Sequence, residues 1–191
     1  LDTGSDIGIA FDGDGDRVIM VDENGRVVDG DEILFVIAQA FNKERRLRGG
    51  VVGTTMTNLG FEKALKEMGV SFERSEVGDR YVLERMESLN WNLGGETSGH
   101  IICADLNTTG DGIISALQVV SSMIIQESPL SELAEGMSKY PQRLINIEDS
   151  NPKQTVRDTE LKKLVAEVQK QLGDRGRVIV RPSGTEPLVR V

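Results

Sequence analysis

Between Val51 and Ile125 the sequence alternates between two kinds of segment, and that alternation restricts the fold more than any other feature of the chain. VVGTT, VSFER, WNLGG and HIICA are short apolar runs bounded by glycine or polar residues, as strands are. Between them, NLGFEKALKEMG, closed by Gly69, and GDRYVLERMESLN space their apolar residues as helices do. TTGDGIISALQVVSSMII follows as a long helix, expected to be buried, with Thr109 or Asp111 near its start. Strands that alternate with helices predict a mainly parallel sheet covered on both faces. The expected class is therefore α/β, with mixed, mainly parallel sheets flanked by helices.

The flanking regions extend this pattern. DIGIAF, expected to be a buried strand, and RVIMVD are separated by the loop FDGDGDR, and Asn24-Gly25 marks a hairpin turn just after them. Asp29 or Asp31 can cap a helix whose body, ILFVIAQAF, is apolar nearly all round and so buried. KERRLRGG reads as its solvated end and a linker. EDSNPK, Glu148 to Lys153, marks a further boundary. Beyond it Leu161, Leu164, Val165, Val168 and Leu172 line one face of an amphipathic helix, followed by RVIVR as a strand, the loop PSGTEP and a last strand still under way at PLVRV. The opening just ahead of a strand and the ending within another predict a piece of a larger protein.

Charge and composition narrow the function classes. The net charge of -9 argues against a nucleic-acid or acidic-membrane partner, though not against a local basic pocket for phosphate. One cysteine, Cys103, and one histidine, His100, build neither a disulfide framework nor a Cys/His zinc site. No apolar run reaches the roughly 20 residues of a membrane-spanning helix, and the default location is the cytoplasm.

The chemistry concentrates in three loops. In FDGDGDR, Asp12, Asp14 and Asp16 alternate with glycine, and such crowded carboxylates repel one another unless a cation lies among them. A calcium loop would put these aspartates at its first, third and fifth positions and Glu23 at its twelfth, but Arg17 stands where that loop needs glycine, and the flanks read as strands. A haloacid-dehalogenase-type phosphatase would use Asp14 as nucleophile and Asp16 as acid, leaving Asp12 without a role. A Mg²⁺ site for phosphoryl transfer uses all three carboxylates and sets Arg17 against a phosphate oxygen. The plain alternative is a solvated acidic turn.

In GGETSGH, Glu96 and Ser98 can grip sugar hydroxyls, whereas His100, opening an apolar strand, reads equally as a structural residue. The loop is not a Gly-x-Ser-x-Gly elbow. In RPSGTEP, Arg181, the hydroxyls of Ser183 and Thr185, and the backbone near Gly184 can cradle an anion, the alternative being an ordinary polar turn. A metal, a sugar grip and a phosphate grip are together the parts of phosphoryl transfer on a phosphosugar. A non-catalytic sugar-phosphate or metal-binding module uses the same parts.

These three loops, in this order and spacing, resemble the α-D-phosphohexomutases, and the resemblance covers essentially the whole chain. With VGDRY at Val77 to Tyr81, they are most similar to the bacterial members acting on glucosamine phosphates, with phosphomannomutase and phosphoglucomutase as alternatives within the family. The resemblance implies one complete and two partial domains of a four-domain mutase: residues 1–47 ending the metal-binding second domain, 48–148 the sugar-binding third, and 149–191 beginning the phosphate-binding fourth. It implies Asp12, Asp14 and Asp16 as ligands of one Mg²⁺ per active site, with Arg17 beside the transferred phosphate. Glu96 and Ser98 would bind sugar hydroxyls, and Arg181, Ser183, Gly184 and Thr185 the phosphate not being transferred. His100 matches a position proposed for proton transfer. Asp79 and Arg80 face the cleft on this reading; the plain reading is a helix-start cap and a surface ion pair.

The resemblance also implies a missing part. The family's donor is a phosphoserine in a Thr-Ala-Ser-His-Asn-Pro-like loop of the first domain, and no such segment occurs here. Ser98 and Ser183 belong to other loops and do not replace it. The expected partners are therefore a small phosphosugar and the N-terminal domains of the same polypeptide, with glucosamine 1,6-bisphosphate as intermediate and a fragment inactive on its own.

Overall fold

Apolar runs flanked by aspartate or asparagine fix most of the observed helix starts. The computed structural model describes residues 4–191. They form two compact units, the first ending at Lys139 and the second spanning Tyr140–Val191.

In the first unit, β1 (Gly8–Phe11), β2 (Val18–Val21) and β3 (Val27–Val28) form an antiparallel sheet in that order. The FDGDGDR loop joins β1 to β2, and the Asn24-Gly25 turn joins β2 to β3. Helix α1 (Gly30–Lys43) begins at Asp29, whose carboxylate accepts the Glu32 N–H while the Glu32 side chain accepts the Asp29 N–H. That reciprocal cap satisfies two amides otherwise left open at the helix start.

The parallel sheet follows. Strand β4 (Gly50–Thr54) leads through α2 (Leu59–Glu67) to β5 (Ser71–Ser75), then through α3 (Asp79–Leu89) to β6 (Leu93–Gly95), which turns back into β7 (Ile101–Cys103). The order is β5-β4-β6-β7, with β5, β4 and β6 parallel and β7 antiparallel to β6. Val51, Leu93, Ile101 and Cys103 pack with Phe61 and Leu65 of α2 and with α1, whereas Val52 and Ile102 pack with Val82 and Met86 of α3. Helices thus cover both faces, as the alternation predicts. The chain leaves β4 toward β5 on one side and reaches β6 on the other, so the carboxyl ends of β4 and β6 flank a topological switch point.

Two expectations of burial need correction. Helix α4 (Gly112–Gln126), capped by Asp111, is buried on one side only: Ala116 and Val119 are enclosed, but Ile124 is 71% exposed and Ile113, Leu117 and Ile125 also face solvent. Strand β1 is likewise exposed, with Ile9 and Phe11 at the surface. Composition signalled burial in both cases, but these side chains stay largely open to solvent, with Phe11 meeting the start of α4 at Gly112. Helix α5 (Leu130–Glu135), which the sequence reading did not anticipate, closes the unit against α1.

In the second unit, β8 (Asn146–Glu148), β10 (Leu188–Arg190) and β9 (Arg181–Pro182) form an antiparallel sheet in the order β8-β10-β9. Helix α6 (Pro152–Thr155) and the amphipathic α7 (Thr159–Leu172), capped by Asp158, lie between β8 and β9 in sequence. RVIVR pairs as a strand only at its last residue, Arg181; positions 177–180 join no ladder. Among the described residues, no helix is long and apolar enough to cross a membrane.

Candidate active site

The aspartate loop is held from both ends. β1 and β2 pair in register Phe11↔Val18, which forces Asp12 to Arg17 to reverse direction within six residues. Carboxylate oxygens of Asp12, Asp14 and Asp16 lie within 4.8 Å of one another. The Arg17 N–H donates to Asp12 Oδ1 at 3.2 Å, and Arg17 Nε lies 3.8 Å from Asp12 and 3.9 Å from Asp16. Asp16 Oδ1 is buried and has no hydrogen-bond partner among the described residues. Desolvation, then the neighbouring Asp12 and Asp14 carboxylates, push the Asp16 carboxyl above its ordinary range. Asp12 moves the other way: desolvation pushes it upward, but the Arg17 N–H, a shared interaction with Asp16 and the Arg17 charge together outweigh it.

The GGETSGH loop is the hairpin connection between β6 and β7. Glu96 N–H donates to the His100 carbonyl at 3.0 Å and Gly99 N–H to the Glu96 carbonyl at 3.0 Å. This hairpin touches the aspartate loop through backbone: Arg17 and His100 form an antiparallel bridge, and Val18 N–H donates to the Gly99 carbonyl at 3.2 Å. Gly99 has φ +91°, and a Cβ there would lie 2.0 Å from the Val18 oxygen, so glycine is what the close approach requires. From the far side, Gly112 N–H donates to the Gly15 carbonyl at 2.9 Å, tying the aspartate loop to the start of α4.

Each predicted residue can now be placed. His100 is 3% exposed, its Nε2 lies 3.7 Å from Asp16 Oδ2, and Nδ1 has no hydrogen-bond partner among the described residues. Glu96 is half-buried and accepts the Gly78 N–H at 2.9 Å, which ties the hairpin to the start of α3; Ser98 is exposed beside it. Gly78, not Asp79, occupies the cap position of α3; Asp79 is exposed in its first turn, and Arg80 pairs with Glu84 at 2.7 Å. In the second unit, Ser183 is buried, its N–H donates to the Leu188 carbonyl at 2.9 Å, and its Oγ accepts the Glu186 N–H at 3.3 Å. Arg181 is half-buried at that turn, with Gly184 and Thr185 exposed.

The first unit therefore brings together Asp12, Asp14, Asp16, Arg17 and His100, and joins Glu96 to them through the hairpin. The sequence reading missed the parts that hold this arrangement: Thr97, Gly99, Asp31 and the Gly15–Gly112 link. Asp31, which with Glu32 sets charge at the start of the otherwise mainly apolar α1, was the one available signal.

The three carboxylates fit a hard divalent cation. All are oxygen donors, one oxygen is buried without a partner, and Mg²⁺ takes such ligands at about 2.0–2.1 Å while leaving positions open.

Residues 29–140 match the phosphoglucomutase/phosphomannomutase α/β/α domain III and residues 144–191 the C-terminal domain, so the chain belongs to that family. Its similarity to particular members is high. It is 56% identical, over its whole length, to a phosphoglucosamine mutase of Halorhodospira halophila, covering 42% of that protein. It is 52% identical over 189 residues to one of Anoxybacillus flavithermus, 98% of this chain and 42% of that protein. The chain thus spans less than half the length of these curated relatives. In fold it is similar to Aspergillus fumigatus N-acetylphosphoglucosamine mutase in complex with GlcNAc-6P and magnesium, with TM-score 0.78 and 21% identity over 95% of this chain and 47% of that one.

Proposed function

We propose that this chain supplies the metal-binding and sugar-binding parts of a phosphoglucosamine mutase, which interconverts glucosamine 6-phosphate and glucosamine 1-phosphate. The observation that carries the proposal is the convergence of Asp12, Asp14 and Asp16 beside Arg17, held by backbone to the Glu96–His100 hairpin. Whole-length identity to relatives bearing that name supports the choice of sugar over the mannose and glucose alternatives.

On this reading Asp12, Asp14 and Asp16 hold Mg²⁺, which when bound offsets the negative charge of a phosphoryl group in transfer. Arg17, exposed next to the carboxylates, donates to an oxygen of that group. Glu96 has one oxygen engaged by Gly78 and keeps the other for a sugar hydroxyl, with Ser98 as a second contact. His100, buried with its Nε2 3.7 Å from Asp16, is the residue placed for proton transfer. Asp79 and Arg80 stand at the exposed start of α3, beside the Gly78–Glu96 link, and contact the substrate from there. Arg181, Ser183, Gly184 and Thr185 hold the phosphate that is not transferred.

The phosphoryl donor is a serine of the parent polypeptide outside this sequence, and glucosamine 1,6-bisphosphate is the intermediate. The first unit carries the end of the second domain and the third, the second unit the beginning of the fourth. The enzyme acts in the cytoplasm.

³¹P NMR of the chain with Mg²⁺, glucosamine 6-phosphate and catalytic 1,6-bisphosphate tests this. The expected result is an unchanged set of phosphate species for this chain and glucosamine 1-phosphate for the full-length parent. Glucosamine 1-phosphate from this chain alone would refute the missing donor, and inorganic phosphate would favour a phosphatase.

A further inference from the structure

The first turn of α1 carries a carboxylate that none of the roles above uses. Asp31 has 0% exposure. Its Oδ1 accepts the Thr97 hydroxyl at 3.0 Å and its Oδ2 accepts the Asn58 N–H at 2.8 Å. Thr97 lies in the hairpin that follows β6, and Asn58 ends the loop that follows β4. One buried side chain thus spans the two loops that flank the switch point.

The surroundings make this contact stiff. Gly30 N–H donates to the Thr97 carbonyl at 3.1 Å. A Cβ on Gly30 would lie 2.3 Å from the Glu96 oxygen and 2.4 Å from the Gly99 nitrogen, so helix and hairpin meet backbone to backbone. Asn58 is in turn the cap of α2, accepting the Gly60 N–H at 2.9 Å, while Thr54 N–H donates to Thr57 Oγ1 at 2.9 Å within the same loop. A buried carboxylate is costly unless its hydrogen bonds are made, and here each oxygen has a donor from a different loop.

We propose that Asp31 is a positioning residue that clamps the 96–100 hairpin to the 55–58 loop and so fixes Glu96 and Ser98 for the sugar. The proposal rests on the sugar-binding reading for its ligand, but the clamp itself is a statement about two loops. It implies that loosening Asp31 or Thr97 weakens sugar binding without disturbing the cation site, which is built on the β1–β2 turn.

Hydrogen–deuterium exchange and two titrations of the chain, with glucosamine 6-phosphate and with Mg²⁺ alone, test it. Asp31→Ala and Thr97→Val should each raise amide exchange at residues 96–99 about tenfold or more, with exchange in α3 unchanged. Both should weaken glucosamine 6-phosphate binding about tenfold, the loss of one well-made hydrogen bond, and leave Mg²⁺ affinity within about twofold. Asp31→Asn, whose amide can accept from Asn58 and donate to Thr97, and Thr97→Ser should restore binding to within about threefold. Thr97→Val keeps the Asp31–Asn58 bond, so it decides the matter even if Asp31→Ala fails to fold. Loop exchange at the native level in Thr97→Val, or exchange that rises evenly through the first unit, overturns the clamp. Should the native chain bind no glucosamine 6-phosphate while loop exchange responds selectively, the clamp stands and the sugar reading falls.

Discussion

Three glycines of the candidate site differ in what an added methyl group would meet, and that difference predicts a graded series. At Gly13 a Cβ meets nothing within 4 Å and the backbone φ is ordinary, so Gly13→Ala should change stability by no more than about 0.5 kcal/mol. At Gly15 there is also open space, but φ is +74°, a conformation that costs a side-chain-bearing residue roughly 1–2 kcal/mol. At Gly99 that strain, at φ +91°, is joined by a Cβ only 2.0 Å from the Val18 carbonyl oxygen. Relieving the contact must part the hairpin from β2, breaking the 3.2 Å Val18–Gly99 hydrogen bond at about another 1–2 kcal/mol. The expected loss for Gly99→Ala is therefore about 2–4 kcal/mol, or roughly 5–15 °C in Tm for a unit of this size. Trp91 is the sole tryptophan and lies in the first unit, so its fluorescence during thermal melts follows that unit alone. The order native ≈ Gly13→Ala > Gly15→Ala > Gly99→Ala is the result to expect. A Gly99→Ala protein that melts with the native one, or a Gly13→Ala protein that melts as low as Gly99→Ala, would refute the claim that backbone contact couples the two loops.

Other expectations are simpler. Asp14→Asn should abolish Mg²⁺ binding by isothermal titration, and unchanged binding would sink the metal reading. Burial pushes the Asp31 carboxyl from 3.8 to about 6, against the hydrogen bonds from Asn58 and Thr97, with Asp29 raising it further and Lys139 lowering it. An acid that holds its proton more tightly when folded makes stability fall as pH rises from 3.8 to about 6, by about 3 kcal/mol at most. Urea melts across that range should show Asp31→Asn without this component; an identical pH slope in both proteins would contradict it. Phe35→Ala, at a side chain enclosed in the core, should cost about 3–5 kcal/mol, whereas Ile124→Ser on the open face of α4 should stay within about 0.5 kcal/mol.

The parallel layer was legible in the sequence because each of its elements carries its own local signal. Asn58 and Asp111 are caps at helix starts, Gly69 follows α2, and β4 is a continuous apolar run as a strand covered on both faces must be. What misled was composition without partners. ILFVIAQAF and IISALQVVSSMII read alike, yet α1 is enclosed all round while α4 shows Ile113, Leu117, Ile124 and Ile125 to solvent. Apolarity records that a face suits burial; it does not record what covers it. RVIVR failed for a related reason, since β-branched residues favour a strand only where a neighbour offers a ladder, and positions 177–180 have none.

The site divides in the same way. Asp12, Asp14, Asp16 and Arg17 stand within six consecutive residues, so their convergence needs only a tight turn, and spacing alone could reveal it. Thr97 and Asp31 are 66 positions apart, and Gly15 and Gly112 meet through backbone, which leaves no side-chain signature at all. The candidate ligand groups were therefore readable because they are local and charged, whereas the groups that hold them were not because they are distant or mute. This asymmetry bears on how the site is to be probed. Substitutions at the aspartates test what the site binds, but a substitution at Gly99 tests whether the aspartate turn and the hairpin act as one body, and substitutions at Thr97 and Asp31 test the separate link of the hairpin to α1. If the two loops are coupled as the backbone contacts require, Gly99→Ala should weaken Mg²⁺ binding although Gly99 offers no ligand, while Thr97→Val, two residues before Gly99 and bonded to α1 instead, should not.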